Sequence, residues 1–148
     1  MRTLISETIS HVGKTVAVKG WVHLRRDHGK LIFFNLRDRS GFLQVVINAK
    51  TSQAAYDVAR EIRPEYVVEI KGLIEERPRS AIDKDFIEYN GAIELIAHEI
   101  VVLCKAETLP FDMGGEDLNL ELPTLLDNRA LALRFPKISA IFKIQETI

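Results

Sequence analysis

Three kinds of side chain recur at alternate positions over a short stretch of this chain. Phe33, Asn35 and Arg37 share one parity of the run Leu31 to Arg37, while Ile32, Phe34 and Leu36 share the other. Gln44 lies between Phe42 and Val46 on the outward parity of the next run. Trp21 and His23 occupy the non-core parity of the preceding run, with Arg25 and Arg26 just beyond. If Ile32, Phe34 and Leu36 fill a core, the opposite surface carries aromatic rings, an amide and guanidinium groups. Unpaired bases stack on aromatic faces, at roughly 1–3 kcal/mol per base. An amide offers both a donor and an acceptor to a Watson–Crick edge, and arginines hold phosphates. The combination points to single-stranded RNA. A plainer alternative stays open beside it, in which Phe33 is covered by a helix or linker and Gln44 has no recognition role; Trp21 reads as packing.

These residues need strands to hold them. Thr15 to Leu24 sets Val16, Val18, Gly20, Val22 and Leu24 against Ala17, Lys19, Trp21 and His23. Leu31 to Arg37 and Phe42 to Asn48 alternate in the same way, with turns at His28-Gly29 and Asp38-Arg39-Ser40-Gly41. Period-2 alternation with short turns predicts an antiparallel meander. A helix follows, capped by Thr51 or Ser52, with Ala54, Ala55, Val58, Ala59 and Ile62 on one stripe and Pro64 as the stop. Tyr66 to Glu75 is a fourth strand, Glu76 to Asn90 a polar loop and Ala92 to Leu103 a fifth strand. Three strands, a helix and two strands is the element order of the five-stranded Greek-key OB-fold barrel. A β-sandwich needs about seven strands. The expectation is an all-β OB-fold domain with one helix over residues 1–105. A hinge or linker over 106–135, broken by Pro110, Gly114-Gly115 and Pro123, then leads to a helix from Pro136 carrying Ile138, Ile141, Phe142 and Ile148 on one side. That helix reads as the truncated start, 136–148, of a further domain.

Bulk properties narrow the function class. The chain has 148 residues, 47% hydrophobic and 28% charged, as a folded globular domain does. No run approaches the roughly 18 apolar residues of a membrane span, and the start lacks the apolar core of a secretory signal. The one cysteine, Cys104, excludes an internal disulfide, and its apolar surroundings predict a buried thiol in a reducing compartment, the cytoplasm. Net charge is −1, but His11 to Ser40 holds seven Lys/Arg against two acids, whereas Ala106 to Asn128 holds six acids and no Lys or Arg. A basic stripe of this kind can hold phosphates; a solvated charged face accounts for it equally well. His11, His23, His28 and His98 lack metal-ligand spacing, Gly114-Gly115 lacks the Lys-Ser/Thr of a phosphate loop, and Asp83 and Asp85 read as solvated. No catalytic residue and no metal or cofactor site is expected in this segment.

The run Gly20 to Gly41, GWVHLRRDHGKLIFFNLRDRSG, continued by FLQVV, resembles the N-terminal anticodon-binding domain of aspartyl-tRNA synthetases. Leu126-Asp127-Asn128-Arg129 and Leu133-Arg134-Phe135-Pro136 resemble that family's hinge and the lead-in to its class II catalytic domain. The likeness covers almost the whole chain; the first run is specific to the aspartate, asparagine and lysine subgroup, and Arg25-Arg26-Asp27-His28-Gly29 favours aspartate. It implies that Phe33 stacks on the central anticodon base, that Gln44 recognises it, and that Arg25 and Arg26 contact RNA. Glu94 is similar in placement to an acidic residue that helps to read the anticodon. Many relatives carry a third arginine at the position of Leu24, so backbone binding there should be weaker. The resemblance further implies a parent ligase that uses ATP and Mg2+, dimerises through its catalytic domain and lies in the cytoplasm, with this segment alone inactive.

The expected partner is therefore the anticodon loop of a tRNA, gripped by Phe33, Gln44, Arg25, Arg26, Glu94, Asn35 and Arg37. An asparaginyl-tRNA synthetase domain is the alternative within the family, since this domain alone separates the two poorly. Outside it stand a general single-strand binder, which would take poly-dT as well as a stem-loop, and a protein-interaction OB domain, which would ignore RNA.

Overall fold

The structure, a computed structural model, describes residues 3–78, 90–113 and 118–148. Strands form where apolar and polar residues alternate: β1 (Thr15–His28), β2 (Leu31–Asp38), β3 (Gly41–Asn48), β4 (Val67–Glu76) and β5 (Ile93–Cys104). They close into a barrel in the order β1-β2-β3-β5-β4. All neighbours are antiparallel except β3 and β5, which run parallel from Gln44–Glu94 to Val46–Ile96. With α1 (Gln53–Glu61) between β3 and β4, this is the expected OB barrel.

The inward parity supplies the core. Val18, Ile32, Phe34, Leu36, Val45, Ile70 and Leu95 are all fully buried. Each such side chain contributes about 1.5–3 kcal/mol by leaving water. At two inward positions only hydrogen fits: a Cβ on Gly20 would overlap the Arg37 carbonyl oxygen, and one on Gly72 the Ile96 carbonyl oxygen. Glycine there lets the strands coil closely enough to close the barrel.

Both ends are plugged. Ser52 caps α1, its Oγ accepting from the Ala55 N–H at 3.2 Å, and Ala55, Ala59 and Ile62 join the core, whereas Val58 is 37% exposed. The Tyr56 hydroxyl donates to the Gly29 carbonyl and so holds α1 at the β1–β2 turn, where Gly29 takes φ +70°. At the other end sits a 3-10 helix, Ile5–His11, that periodicity did not predict; with only Ile5 and Thr8 buried it has no stripe to read. Asp38, in the β2–β3 turn, accepts from the Ile5 N–H at 3.1 Å and the Ser40 N–H at 2.7 Å, tying helix and turn together.

Two expectations about the barrel strands fail. Simple alternation placed Leu24 in the core with Val22, but β1 runs on to His28 and carries a bulge between Val22 and Leu24. Two residues of β1 there oppose one of β2, so parity inverts. Leu24 pairs with outward Asn35 and is half-buried, Arg25 pairs with inward Phe34, and Arg26 pairs with outward Phe33. Cys104 is exposed, not buried. It ends β5 where, among the described residues, that strand pairs with β4 and no longer with β3, so the apolar run continues past the barrel; Leu103 is 48% exposed.

The chain divides into two compact units, Met1–Thr108 and Leu109–Ile148. The second contains α2 (Leu122–Asp127), α3 (Arg129–Ala132) and α4 (Pro136–Thr147), so short helices occupy part of the stretch expected as linker. Pro136 opens α4, and Ile141, Phe142 and Ile144 on it are exposed. Gly114-Gly115, Asp83, Asp85 and most of the polar loop lie outside the described residues. Among the described residues no helix is long and apolar enough to cross a membrane.

Candidate nucleic-acid interface

Cross-strand pairing sorts the outward residues of β1, β2, β3 and β5 into rows. One row is Arg26, Phe33, Val46 and Ile96; the next is Leu24, Asn35, Gln44 and Glu94; a third is Trp21, Arg37 and Phe42. Phe33 and Gln44 are thus diagonal neighbours, close enough for one planar group to meet both. Phe33 is half-buried, with Val46 beside it in the row at 8% exposure, so the ring rests on an apolar base and keeps part of its surface open. Arg26 stands directly opposite Phe33 and is exposed. His28 meets Phe33 edge to face, with centroids 5.6 Å apart and planes at 84°. By sequence pattern His28 reads only as a turn residue. The bulge that inverts the parity of β1 puts it on the same face as Arg26 and Phe33.

Gln44 does not stand alone. Its Nε2 donates to Glu94 Oε2 at 3.0 Å, across the parallel β3–β5 pair. An ionised carboxylate can only accept, so this contact orients the amide and leaves Oε1 and one N–H for a ligand. Burial raises the pKa of Glu94; its Gln44 hydrogen bond and Arg77 act to lower it, and Glu75 raises it further. Arg77 Nε approaches Glu94 Oε2 at 3.8 Å, while Arg77 Nη1 donates to the Gly91 carbonyl at 3.2 Å. Arg77 escapes a sequence reading because it follows β4 just where the polar loop begins, and no local pattern marks it as the counter-ion of a residue 17 positions later.

The remaining predicted residues lie differently. Asn35 is half-buried between Leu24 and Gln44 in the second row. Arg25 has inward parity and pairs with Asp27 at 2.8 Å, and its Nε is buried without a hydrogen-bond partner. Arg37 is only 8% exposed. Its Nη2 donates to both carboxylate oxygens of Glu65, at 2.9 and 3.1 Å, and its Nη1 contacts His23 Nδ1 at 3.1 Å. The Arg37 guanidinium also lies 5.9 Å from the Trp21 ring centroid, and His23 packs edge-on to Phe42 at 5.2 Å. So Phe33, Gln44, Arg26, Asn35 and Glu94 come together on one surface, while Arg25 and Arg37 are engaged by protein carboxylates. Among the described residues no group of three His, Cys, Asp or Glu could hold a metal.

A barrel of this topology, with an aromatic ring, an oriented amide and an exposed arginine on its outer strands, is an oligonucleotide-binding fold. Residues 16–103 match the tRNA anticodon family, described as an OB-fold nucleic acid binding domain, and the chain belongs to that family. It is 40% identical over 139 residues, 94% of its length, to the aspartate–tRNA ligase of Listeria monocytogenes serotype 4a. It is 39% identical over 137 residues, 93% of its length, to the aspartate–tRNA(Asp/Asn) ligase of Halothermothrix orenii. The chain spans 23% of the length of each of these curated relatives. Among solved structures it resembles the asparaginyl-tRNA synthetase of Pyrococcus horikoshii, with a TM-score of 0.79 at 27% identity over 98% of this chain and 32% of that one.

Proposed function

We propose that this chain is the anticodon-binding module of an aspartate–tRNA ligase and that it docks the tRNA for aminoacylation elsewhere in the parent protein. The observation that carries the proposal is the adjacency of two pairs on the outer barrel face: Arg26 with Phe33, and Gln44 with Glu94. Phe33 stacks one flipped anticodon base. Gln44, oriented by Glu94, meets that base's Watson–Crick edge, with Asn35 beside it. Arg26 holds the adjoining phosphate. Arg25 and Arg37, both tied to carboxylates, contribute by shaping the surface. ATP, Mg2+, the aspartate pocket and the homodimer contact belong to the parent's catalytic domain, with 106–135 as hinge and 136–148 as the lead-in. The parent works in the cytoplasm.

The test is binding of a labelled anticodon stem-loop of aspartate tRNA, followed by fluorescence anisotropy at about 0.1 M salt. The proposal expects binding that weakens steeply with salt, falls when the central anticodon base is changed, and exceeds binding of poly-dT. Equal binding of poly-dT and stem-loop would make the domain a general single-strand binder; no binding of either would sink the RNA reading.

A second reading within the family rests on relatives whose names include both tRNAs. The Halothermothrix orenii ligase, named for Asp/Asn, is about as similar to this chain as the Listeria ligase named for aspartate alone. On this reading the module accepts aspartate and asparagine stem-loops with comparable affinity. A clear preference for the aspartate stem-loop would rule it out.

A further inference from the structure

The β1 bulge determines which of two adjacent arginines faces the RNA surface. With uninterrupted pairing from Val22–Leu36, Leu24 would oppose Phe34 and Arg25 would oppose Phe33. The shift at His23 moves each by one place, so Arg26 opposes Phe33 and Arg25 falls to the inward parity. A one-residue change of register reverses the face of every later side chain in the strand. The identity of the RNA-facing cation is therefore a property of the bulge.

The bulge is held from outside β1. Glu65 takes φ +66°, a left-handed conformation uncommon for glutamate, and is 4% exposed. In that conformation its N–H donates to the Val22 carbonyl at 2.7 Å, and the Val22 N–H donates to the Tyr66 carbonyl at 3.0 Å. Its carboxylate holds Arg37 through both oxygens, and Arg37 reaches His23. A guanidinium carries only donors, so His23 Nδ1 is the acceptor and its ring proton sits on Nε2. One residue before the bulge is thus fixed through its backbone and the bulged residue through its side chain, both by way of Glu65.

We propose that Glu65 and Arg37 form a register clamp that selects Arg26 over Arg25 as the RNA-facing cation. Arg37 and Glu65 are positioning residues: they act on RNA through the register of β1. The RNA part of this inference rests on the proposed anticodon binding; the register part does not.

The experiment pairs two measurements on the full chain. Cross-strand NOEs between β1 and β2 report the register, and stem-loop titrations at several salt concentrations report the cation. In the unaltered chain, NOEs should link Arg26 with Phe33 and Leu24 with Asn35, and Arg26→Ala should lower the log–log salt slope by about 0.7, one single-strand phosphate contact. Arg25→Ala should leave the slope in place. In Arg37→Gln, NOEs should move to Arg25 with Phe33, and the slope should become sensitive to Arg25→Ala and insensitive to Arg26→Ala. A folded Arg37→Gln chain that keeps the Arg26–Phe33 NOEs, with a lower Tm alone, overturns the clamp. If Arg37→Gln does not fold, Glu65→Gln, which removes the charge but keeps the shape, is followed by the same NOEs: a shift to Arg25–Phe33 supports the clamp, and retention of Arg26–Phe33 overturns it. If the unaltered chain binds no stem-loop, the anticodon reading fails while the NOEs still decide the clamp.

Discussion

Phe33→Ala is the sharpest perturbation, because the fold separates its effect on binding from its effect on stability. Phe33 and Phe34 are adjacent in sequence and face opposite ways across β2. Phe34 is fully buried, so Phe34→Ala should cost about 3–5 kcal/mol of folding stability. Phe33 is half-buried on the outer face, where water refills the space left by a lost ring, so its truncation should destabilise much less. Its role in binding is larger: stacking is worth roughly 1–3 kcal/mol per base. At about 1.4 kcal/mol per tenfold, that is about a 5- to 150-fold weaker stem-loop affinity. Phe33→Leu makes the cause visible, since it retains apolar contact with Val46 but has no flat face, and should lose most of the same affinity. Anisotropy titrations at fixed salt give the affinities, and urea unfolding of each variant gives the stabilities. The reasoning fails if Phe33→Ala binds as tightly as the unaltered chain, or if Phe33→Leu restores full affinity.

Two further outcomes follow from particular contacts. Glu94 has a raised pKa in the folded chain, so the fold binds its proton more tightly than the unfolded chain does, and stability from this group is present at low pH and lost as pH rises through the raised value. Glu94→Gln, neutral at every pH, should therefore raise Tm relative to the unaltered chain at neutral pH, and the gap should close below the ordinary carboxylate range; thermal melts followed by circular dichroism across pH 3–8 (about five units) measure it. Gly72→Ala places a Cβ against the Ile96 backbone oxygen, which cannot move without opening the β4–β5 pair. It should cost at least about 1–3 kcal/mol, seen as a lower urea midpoint with an unchanged slope.

Legibility in the sequence followed the range of the interactions. The barrel strands, the existence of α1 and its Ser52 cap arise from contacts within a few residues, and alternation or spacing displays them, although of the expected stripe only Ala55, Ala59 and Ile62 are buried while Ala54 and Val58 are exposed. The outward parity of Phe33 and Gln44 was equally visible, because the runs that carry them are uninterrupted. Cys104 misled for the same reason: a locally apolar run signals burial only while a second layer covers it, and β5 continues past the point where β3 pairs with it.

From the sequence alone came the fold class, the family resemblance and the face that carries the aromatic ring and the amide. The register beyond Val22 came only from the tertiary structure, because the contacts at the bulge come from Glu65 and Arg37, which lie 28 residues apart: Glu65 bonds the Val22 backbone and holds Arg37, and Arg37 reaches His23. The clasp between Gln44 and Glu94 spans 50 residues and exists because β3 and β5 close the barrel side by side. Local pattern assigns a residue to a face by counting in twos. A bulge or a closure contact changes that count or adds a partner, and it does so through atoms far away in the chain.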